Sequence, residues 1–154
     1  MGFTSRLAQT GDFDFVWKGR KETADIEGFA IPNVEEDKVR VKDAIVAGKV
    51  LLAVSGKELV GFIWFVANDG SKVPFGLDYG AYGVKYVFVS YVYTKPEYRG
   101  KGVGRFLYEN LEKYCKKNGI SEIILDVHVK NPGSAEFHKK LGFESRVNIY
   151  KKMV

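Results

Sequence analysis

The segment Thr94-Lys95-Pro96-Glu97-Tyr98-Arg99-Gly100-Lys101-Gly102-Val103-Gly104-Arg105 constrains the fold more than any other part of the chain. It follows Tyr86 to Tyr93, a run rich in β-branched and aromatic residues that reads as a strand. It opens an amphipathic stretch from about Gly102 to Asn118, where Val103, Phe106, Leu107, Leu111 and Tyr114 recur at three- and four-residue steps. The first N–H groups of a helix lack intrahelical partners and carry partial positive charge. Gly100, Gly102 and Gly104 strip side chains from that place, so an anion can touch the main chain directly. Arg99, Lys101 and Arg105 surround it with cations. The junction asks for a polyanion, and a pyrophosphate fits best.

Around this junction the elements order themselves. Phe3 to Ala8 reads as a strand and Asp12 to about Glu27 as a helix, with a weak point at Gly19. Pro32-Asn33 opens a second helix, with Asn33 as N-cap, Glu36 three residues on and Gly48 as its stop. Lys49 to Ser55 and Leu59 to Ala67 form a hairpin across Gly56-Lys57. Asn68 to Lys85 is a long Gly/Tyr-rich connection. After the main helix, Ile120 to Val129 reads as a buried strand, Ser134 to Leu141 as a short helix, and Phe143 onward as a last strand. The order β-α-α-β-β-β-α-β-α-β contains one strand–helix–strand crossover, which predicts a parallel, right-handed connection in an otherwise hairpin-built sheet. The expected class is α/β (α+β): one domain, a mixed and mostly antiparallel sheet, helices on both faces.

The 154 residues are enough for one domain with a real core, at 45% hydrophobic and 14% aromatic content. The formal charge of +5 favours anionic ligands, or else is the solvated lysine surface of an ordinary basic protein. A lone cysteine, Cys115, forbids an intrachain disulfide and makes the cytoplasm the default compartment. It falls beside the apolar stripe of the main helix and reads as packing. No apolar run is long enough to cross a membrane. His128, His138, Asp126 and Cys115 show no zinc-type spacing, so no metal is expected.

Two familiar phosphate motifs are near misses. A P-loop needs Ser or Thr after Gly-Lys, where Gly102 stands here. A dinucleotide fingerprint needs a glycine where Arg105 stands, and a repeated βαβ unit that the chain lacks, although Asp126 lies about twenty residues on. The segment instead resembles motif A of the GNAT superfamily, the GCN5-related N-acetyltransferases: Arg/Gln-x-x-Gly-x-Gly/Ala is met by Arg99, Gly102 and Gly104. Downstream, Asn131-Pro132-Gly133-Ser134-Ala135-Glu136-Phe137-His138-Lys139-Lys140-Leu141-Gly142-Phe143 is similar to motif B of that family. The two motifs stand in the right order and separation.

The resemblance implies acetyl-CoA as cosubstrate and an amine as acceptor. Arg99, Gly100, Lys101, Gly102, Val103, Gly104 and Arg105 would hold the pyrophosphate. Val92, Tyr93 and Thr94 would pair with the pantetheine amides, which requires the fourth strand to splay from the fifth, usually at a bulge. An N–H at Val92 or Tyr93 would face the thioester oxygen, and Asn131 would contact the pantetheine arm. Asp126 occupies the place of a catalytic glutamate in some relatives; it is the candidate base or a surface aspartate paired with a cation. His138 stands where relatives commonly carry a tyrosine acid; it takes over that acid role or only borders the helix's apolar face. Cys115 is not positioned for an acyl-enzyme, so direct transfer in a ternary complex is expected.

The acceptor end is expected near Gly28 to Asn33 and the loops beyond the later strands. Phe75, Tyr79 and Tyr82, in the long connection, would wall or lid it, or form a plain surface excursion. Small amines, amino acids, antibiotics and protein N-termini stay open as acceptors, and so does a homodimer. A CoA-binding module without turnover is the alternative from another class. A basic nucleic-acid domain is disfavoured, because Lys113, Lys116 and Lys117 read as a solvated helix face.

Overall fold

The computed structural model describes residues 2–71 and 83–154. Phe75, Tyr79 and Tyr82 of the long connection lie outside the described residues. The elements are β1 (Thr4–Leu7), α1 (Phe13–Glu27), α2 (Val34–Val46), β2 (Val50–Ser55), β3 (Glu58–Asn68), β4 (Tyr86–Thr94), α3 (Val103–Lys117), β5 (Glu122–Leu125) and α4 (Pro132–Lys140). The five strands form one sheet in sequence order. The first three pairings are antiparallel and β4–β5 is parallel, as the crossover through α3 demands. No helix among the described residues is long and apolar enough to cross a membrane.

Helices cover both faces. On one, α1 and α2 lay Val16, Trp17, Val41 and Ile45 on Leu52, Phe62, Trp64 and Tyr93. On the other, α3 lays Val103, Leu107, Tyr108, Leu111 and Cys115 on Val60, Ile63, Phe65, Val87 and Val89. This apolar face of α3 is wider than the expected stripe: Tyr108 and Cys115 are buried, while Phe106 and Tyr114 are half-buried. Burial pushes the Cys115 thiol up to about 11, in keeping with packing.

Gly19 does not break α1. A Cβ there would meet Phe62 Cε1 at 2.5 Å and Tyr93 Cδ1 at 2.7 Å, so the glycine lets the helix backbone rest on those rings. Phe62 is fully buried beside Phe15 and Tyr93, with ring centroids 6.2 and 5.5 Å away. Truncating a buried Phe costs roughly 3–5 kcal/mol, the lost transfer energy plus an incompletely collapsed cavity. Phe62→Ala should therefore lose that much in urea unfolding, with an unchanged m-value.

Two expectations at the C-terminal end need correction. The fifth strand is Glu122–Leu125, shorter than the predicted 120–129. Its parallel register with β4 ends at Val89↔Leu125. The segment from Phe143 onward is not a strand. Phe143 instead closes α4: its N–H bonds His138 O at 3.0 Å, after Gly142 in a left-handed conformation (φ 91°). Beyond it, Val147 and Ile149 are exposed and nothing pairs with them in a ladder among the described residues.

Candidate active site

The sheet splits where β4 is irregular. Trp64 opposes Tyr91 and Phe65 opposes Val89, which leaves Ser90 as an extra residue in β4. Before it, β4 pairs with β5; after it, β4 continues to Thr94 with no strand on that side among the described residues. The expected splay between the fourth and fifth strands is therefore present, and it lies at a bulge.

Hydrogen-bond alternation decides which amides face the gap. Lys95 N donates to Val60 O at 2.9 Å, making that a bonded pair with β3. In an antiparallel ladder bonded and non-bonded pairs alternate, so Tyr93 opposite Phe62 turns its N–H to β3. Val92 and Thr94 turn theirs to the open side. Arg99 Nε reaches Thr94 O at 3.2 Å, which confirms the direction of that carbonyl. Of Val92 and Tyr93, it is Val92 whose amide lies on the free edge. The Tyr93 side chain is also turned away: it is buried under α1 and its hydroxyl donates to Glu22 Oε2 at 2.6 Å. Burial and that carboxylate raise its pKa well above the ordinary phenol value.

The junction after β4 is a short 3-10 turn, Pro96–Tyr98, followed by Gly100 and Gly102 with φ of 74° and 88°. Only glycine adopts these angles without strain. Gly102 is the N-cap of α3 and supplies no side-chain cap. The first helical bond is Phe106 N to Gly102 O, so the amides of Val103, Gly104 and Arg105 have no intrahelical partner. Arg99, Gly100, Lys101, Gly102 and Arg105 are exposed, while Val103 is buried beneath them. A Cβ at Gly100 or Gly102 would meet nothing within 4 Å; one at Gly104 would meet Phe137 Cζ at 2.7 Å. The first two glycines therefore serve the outer surface, and the third lets α3 pack on α4.

A brace holds this turn to the hairpin. Lys95 Nζ lies 2.6 Å from Glu58 Oε1, and the Tyr98 hydroxyl donates to Glu58 Oε2 at 2.7 Å. These bonds hold the Glu58 carboxyl below the usual carboxylate range. Lys101 Nζ lies 5.1 Å from the centre of the Tyr98 ring.

A cleft of about 1840 Å³ opens at the split. Val92, Asp126, Asn131 and His138 all line it, and so do Phe29 and Pro32 from the α1–α2 connection. Asp126 is exposed there. Asn131 Oδ1 caps α4 by accepting Ser134 N–H at 3.2 Å, which leaves its amide nitrogen for other partners. Tyr93 and Thr94 are not among the cleft-lining residues.

His138 is only 5% exposed and faces Tyr108, a residue that the sequence pattern did not single out. Its Nδ1 lies 2.7 Å from Ser134 O. A carbonyl only accepts, so Nδ1 carries the proton. Nε2 is then free to accept from the Tyr108 hydroxyl, 2.7 Å away. Burial lowers the His138 pKa below its ordinary value and raises that of Tyr108. The imidazole is thus held neutral with both nitrogens engaged. Because the unfolded imidazole binds a proton more readily, this contribution to stability is complete above about pH 6.5 and shrinks as pH falls below it. Urea unfolding below that pH should show a stability slope that His138→Phe reduces. The spacing 104, 108, 111, 115 would have revealed Tyr108 as a second stripe on α3.

A sequence model of the acetyltransferase (GNAT) family matches residues 16–143. The chain belongs to the GNAT family. Among curated relatives, an uncharacterized N-acetyltransferase of Methanocaldococcus jannaschii is 40% identical over 55 residues, 36% of this chain and 24% of that protein. Mycothiol acetyltransferase of Catenulispora acidiphila is 35% identical over 95 residues, 62% of this chain and 28% of that protein. The chain thus spans about a quarter of the length of those relatives. Among solved structures, AAC(6')-Iy with the bisubstrate analogue CoA-S-monomethyl-acetylneamine superposes with a TM-score of 0.75 at 19% identity, covering 100% of both chains. A predicted acetyltransferase of Clostridium acetobutylicum, solved with acetyl-CoA, gives 0.72 at 18% identity, covering 99% of this chain and 96% of that one. At these identities the structures establish the GNAT fold. Among the described residues no group of three His, Cys, Asp or Glu side chains gathers to hold a metal.

Proposed function

We propose that this GNAT protein transfers an acetyl group from acetyl-CoA to a primary amine, by direct attack in a ternary complex. One observation carries this reading: an exposed, uncapped helix start with cations around it, continuous with a strand edge whose amides are free. A pyrophosphate suits the first and an extended amide chain the second. In this reading Val103, Gly104 and Arg105 donate to phosphate oxygens, and Arg99, Lys101 and Arg105 neutralise their charge. Thr94 and Val92 pair with the pantetheine arm, and Asn131 adds a contact to it. Val92 N–H donates to the thioester oxygen as charge develops on it.

An alkylammonium has a pKa of about 10.4, so a base must free the amine before it attacks. Asp126, exposed in the cleft, is the proposed base. As the C–N bond forms and the C–S bond breaks, the leaving thiolate takes a proton. We assign that proton to the Tyr108 hydroxyl, held by His138 Nε2 in the role of the tyrosine common at position 138: its O–H bond breaks as the S–H bond forms, and solvent returns the proton to the phenolate. Removing such an acid typically costs about 10²–10⁴ in rate. His138→Ala should therefore lower kcat while leaving acetyl-CoA binding in place, and Tyr108→Phe should act in the same direction. An unchanged kcat from about pH 6 to 9 removes His138 from the reaction.

A second reading is favoured by the buried, doubly bonded state of His138: a CoA-binding module without turnover. Calorimetry with acetyl-CoA and a CoA-release assay with an amine panel separate the two. Binding with no release by any amine supports the module. Failure to bind acetyl-CoA overturns both.

A further inference from the structure

The cleft wall formed by α1 and α2 carries an arrangement that acetyl transfer alone leaves without a role. Asp37 of α2 is buried, its side chain 6% exposed, between two guanidinium groups. Arg20 Nε of α1 lies 2.9 Å from Asp37 Oδ2, and Arg40 Nη1 lies 3.3 Å from Oδ1. The Arg20–Asp37 contact is too poorly directed for a hydrogen bond, so both of those buried atoms have only an ionic partner. Arg20 is 12% exposed and stacks 4.3 Å from the centre of the Tyr91 ring. Its Nη nitrogens take no acceptor among the described residues. Arg20, Arg40 and Tyr91 all line the cleft.

A tie between the helices explains Arg20 and Asp37. That tie needs no second guanidinium at Asp37; Arg40, three residues on along the same helix, is 57% exposed and also lies 5.9 Å from the centre of the Trp64 ring. One carboxylate shared by two guanidiniums leaves one positive charge in excess, on a wall where Arg20 and Asp37 are largely desolvated and Arg40 is open to the cleft. Such an excess draws a second anion to the wall. Planar guanidiniums match a carboxylate in particular. Glu27 lines the same wall, with no arginine or lysine within ion-pair distance among the described residues. Charges of both signs are thus offered separately on one side of the cleft. That suits a ligand that itself carries both.

We propose that Arg20 and Arg40 form a carboxylate-binding subsite, and that the acceptor is a small amine bearing a carboxylate, a free amino acid in the simplest case. This rests on the acetyl-transfer reading above. It also sets this chain apart from enzymes acting on pure polycations, which have no anionic group to offer the two arginines.

The test is CoA release by the acetyl-CoA-saturated protein with the twenty L-amino acids, their α-carboxamides and spermidine. Acetyl-CoA affinity is measured separately by calorimetry. At least one amino acid should turn over with kcat/KM about tenfold or more above its carboxamide and above spermidine, the discrimination expected of one charge-assisted contact. Arg40→Ala should collapse the acid-to-amide ratio about tenfold, and Arg40→Lys should restore part of it. Arg40 is half exposed and Arg20 still faces Asp37 in these variants, so the fold should persist. Equal use of acid and amide, preference for spermidine, an unmoved ratio in Arg40→Ala, or no turnover of any amino acid overturns the subsite. Those results leave the acetyl-CoA reading standing if calorimetry shows binding; absent binding, both fall together.

Discussion

Val92→Pro should lower kcat by about 10²- to 10³-fold, the loss that follows removal of one oxyanion donor. Proline deletes the backbone N–H and changes little else in an extended strand edge. The position matters because Val92 N–H faces the split, so the ladder to β3 keeps its bonds. Fixing φ near −65° in an extended strand still costs something, and a fall of several degrees in Tm is expected with it. Acetyl-CoA affinity should stay within about tenfold of wild type, because Thr94 and the loop are untouched. Tyr93→Pro is the contrasting variant. Its N–H belongs to the β3 ladder and its ring to the core under Gly19, so the protein should lose about 3 kcal/mol or more of stability. Steady-state kinetics beside thermal melts separate the outcomes. A Val92→Pro enzyme with normal kcat would place the donor elsewhere.

Gly102→Val should weaken acetyl-CoA binding by about a hundredfold or more, a loss near 2.7 kcal/mol. Two effects combine. A β-branched residue at φ 88° costs roughly 1–2 kcal/mol, because its Cβ approaches the carbonyl oxygen. The new side chain also projects into open space just outside the helix start, where the diphosphate must approach. Because it meets no protein atom within 4 Å, overpacking contributes nothing. Gly102→Asn isolates the second effect, since asparagine tolerates this conformation better than valine. It should recover most of the stability and little of the affinity. Calorimetry with acetyl-CoA and with CoA reads the loss directly. Gly104→Ala has another cause: its Cβ would press on the Phe137 ring and disturb the α3–α4 contact, so stability falls first.

Much of the site was legible in the chain because its signals are local. Glycines at alternate positions, flanking cations and a strand-to-helix switch can be read within twelve residues, and the structure shows them as expected. The splay is expected from the family resemblance, whose pantetheine site requires the fourth strand to part from the fifth. What escaped depends on phase and on tertiary partners. The bulge at Ser90 shifts the alternation of β4, so no count along the strand could tell that Val92 rather than Tyr93 faces the gap. Tyr108 meets His138 only because α4 folds back over α3, thirty residues later in the chain. Arg20 and Arg40 look like ordinary solvated helix charges until Asp37 and Tyr91 are brought beside them. The C-terminal segment has the alternation of a strand, yet its closing bond at Phe143 serves α4, and no ladder takes up Val147 and Ile149.

The parallel seam between β4 and β5 is four residue pairs long, and past it the sheet lies open like a half-fastened zip. A cosubstrate lying in that opening would act as building material as well as reagent: its amide arm would stand in for the strand that β4 lacks. Departure of the spent thiol would then unpick part of the architecture. Each catalytic round would begin from a looser body than the one in which the acyl group moves, and slowed amide exchange on the far edge of β4 after ligand addition would be its mark.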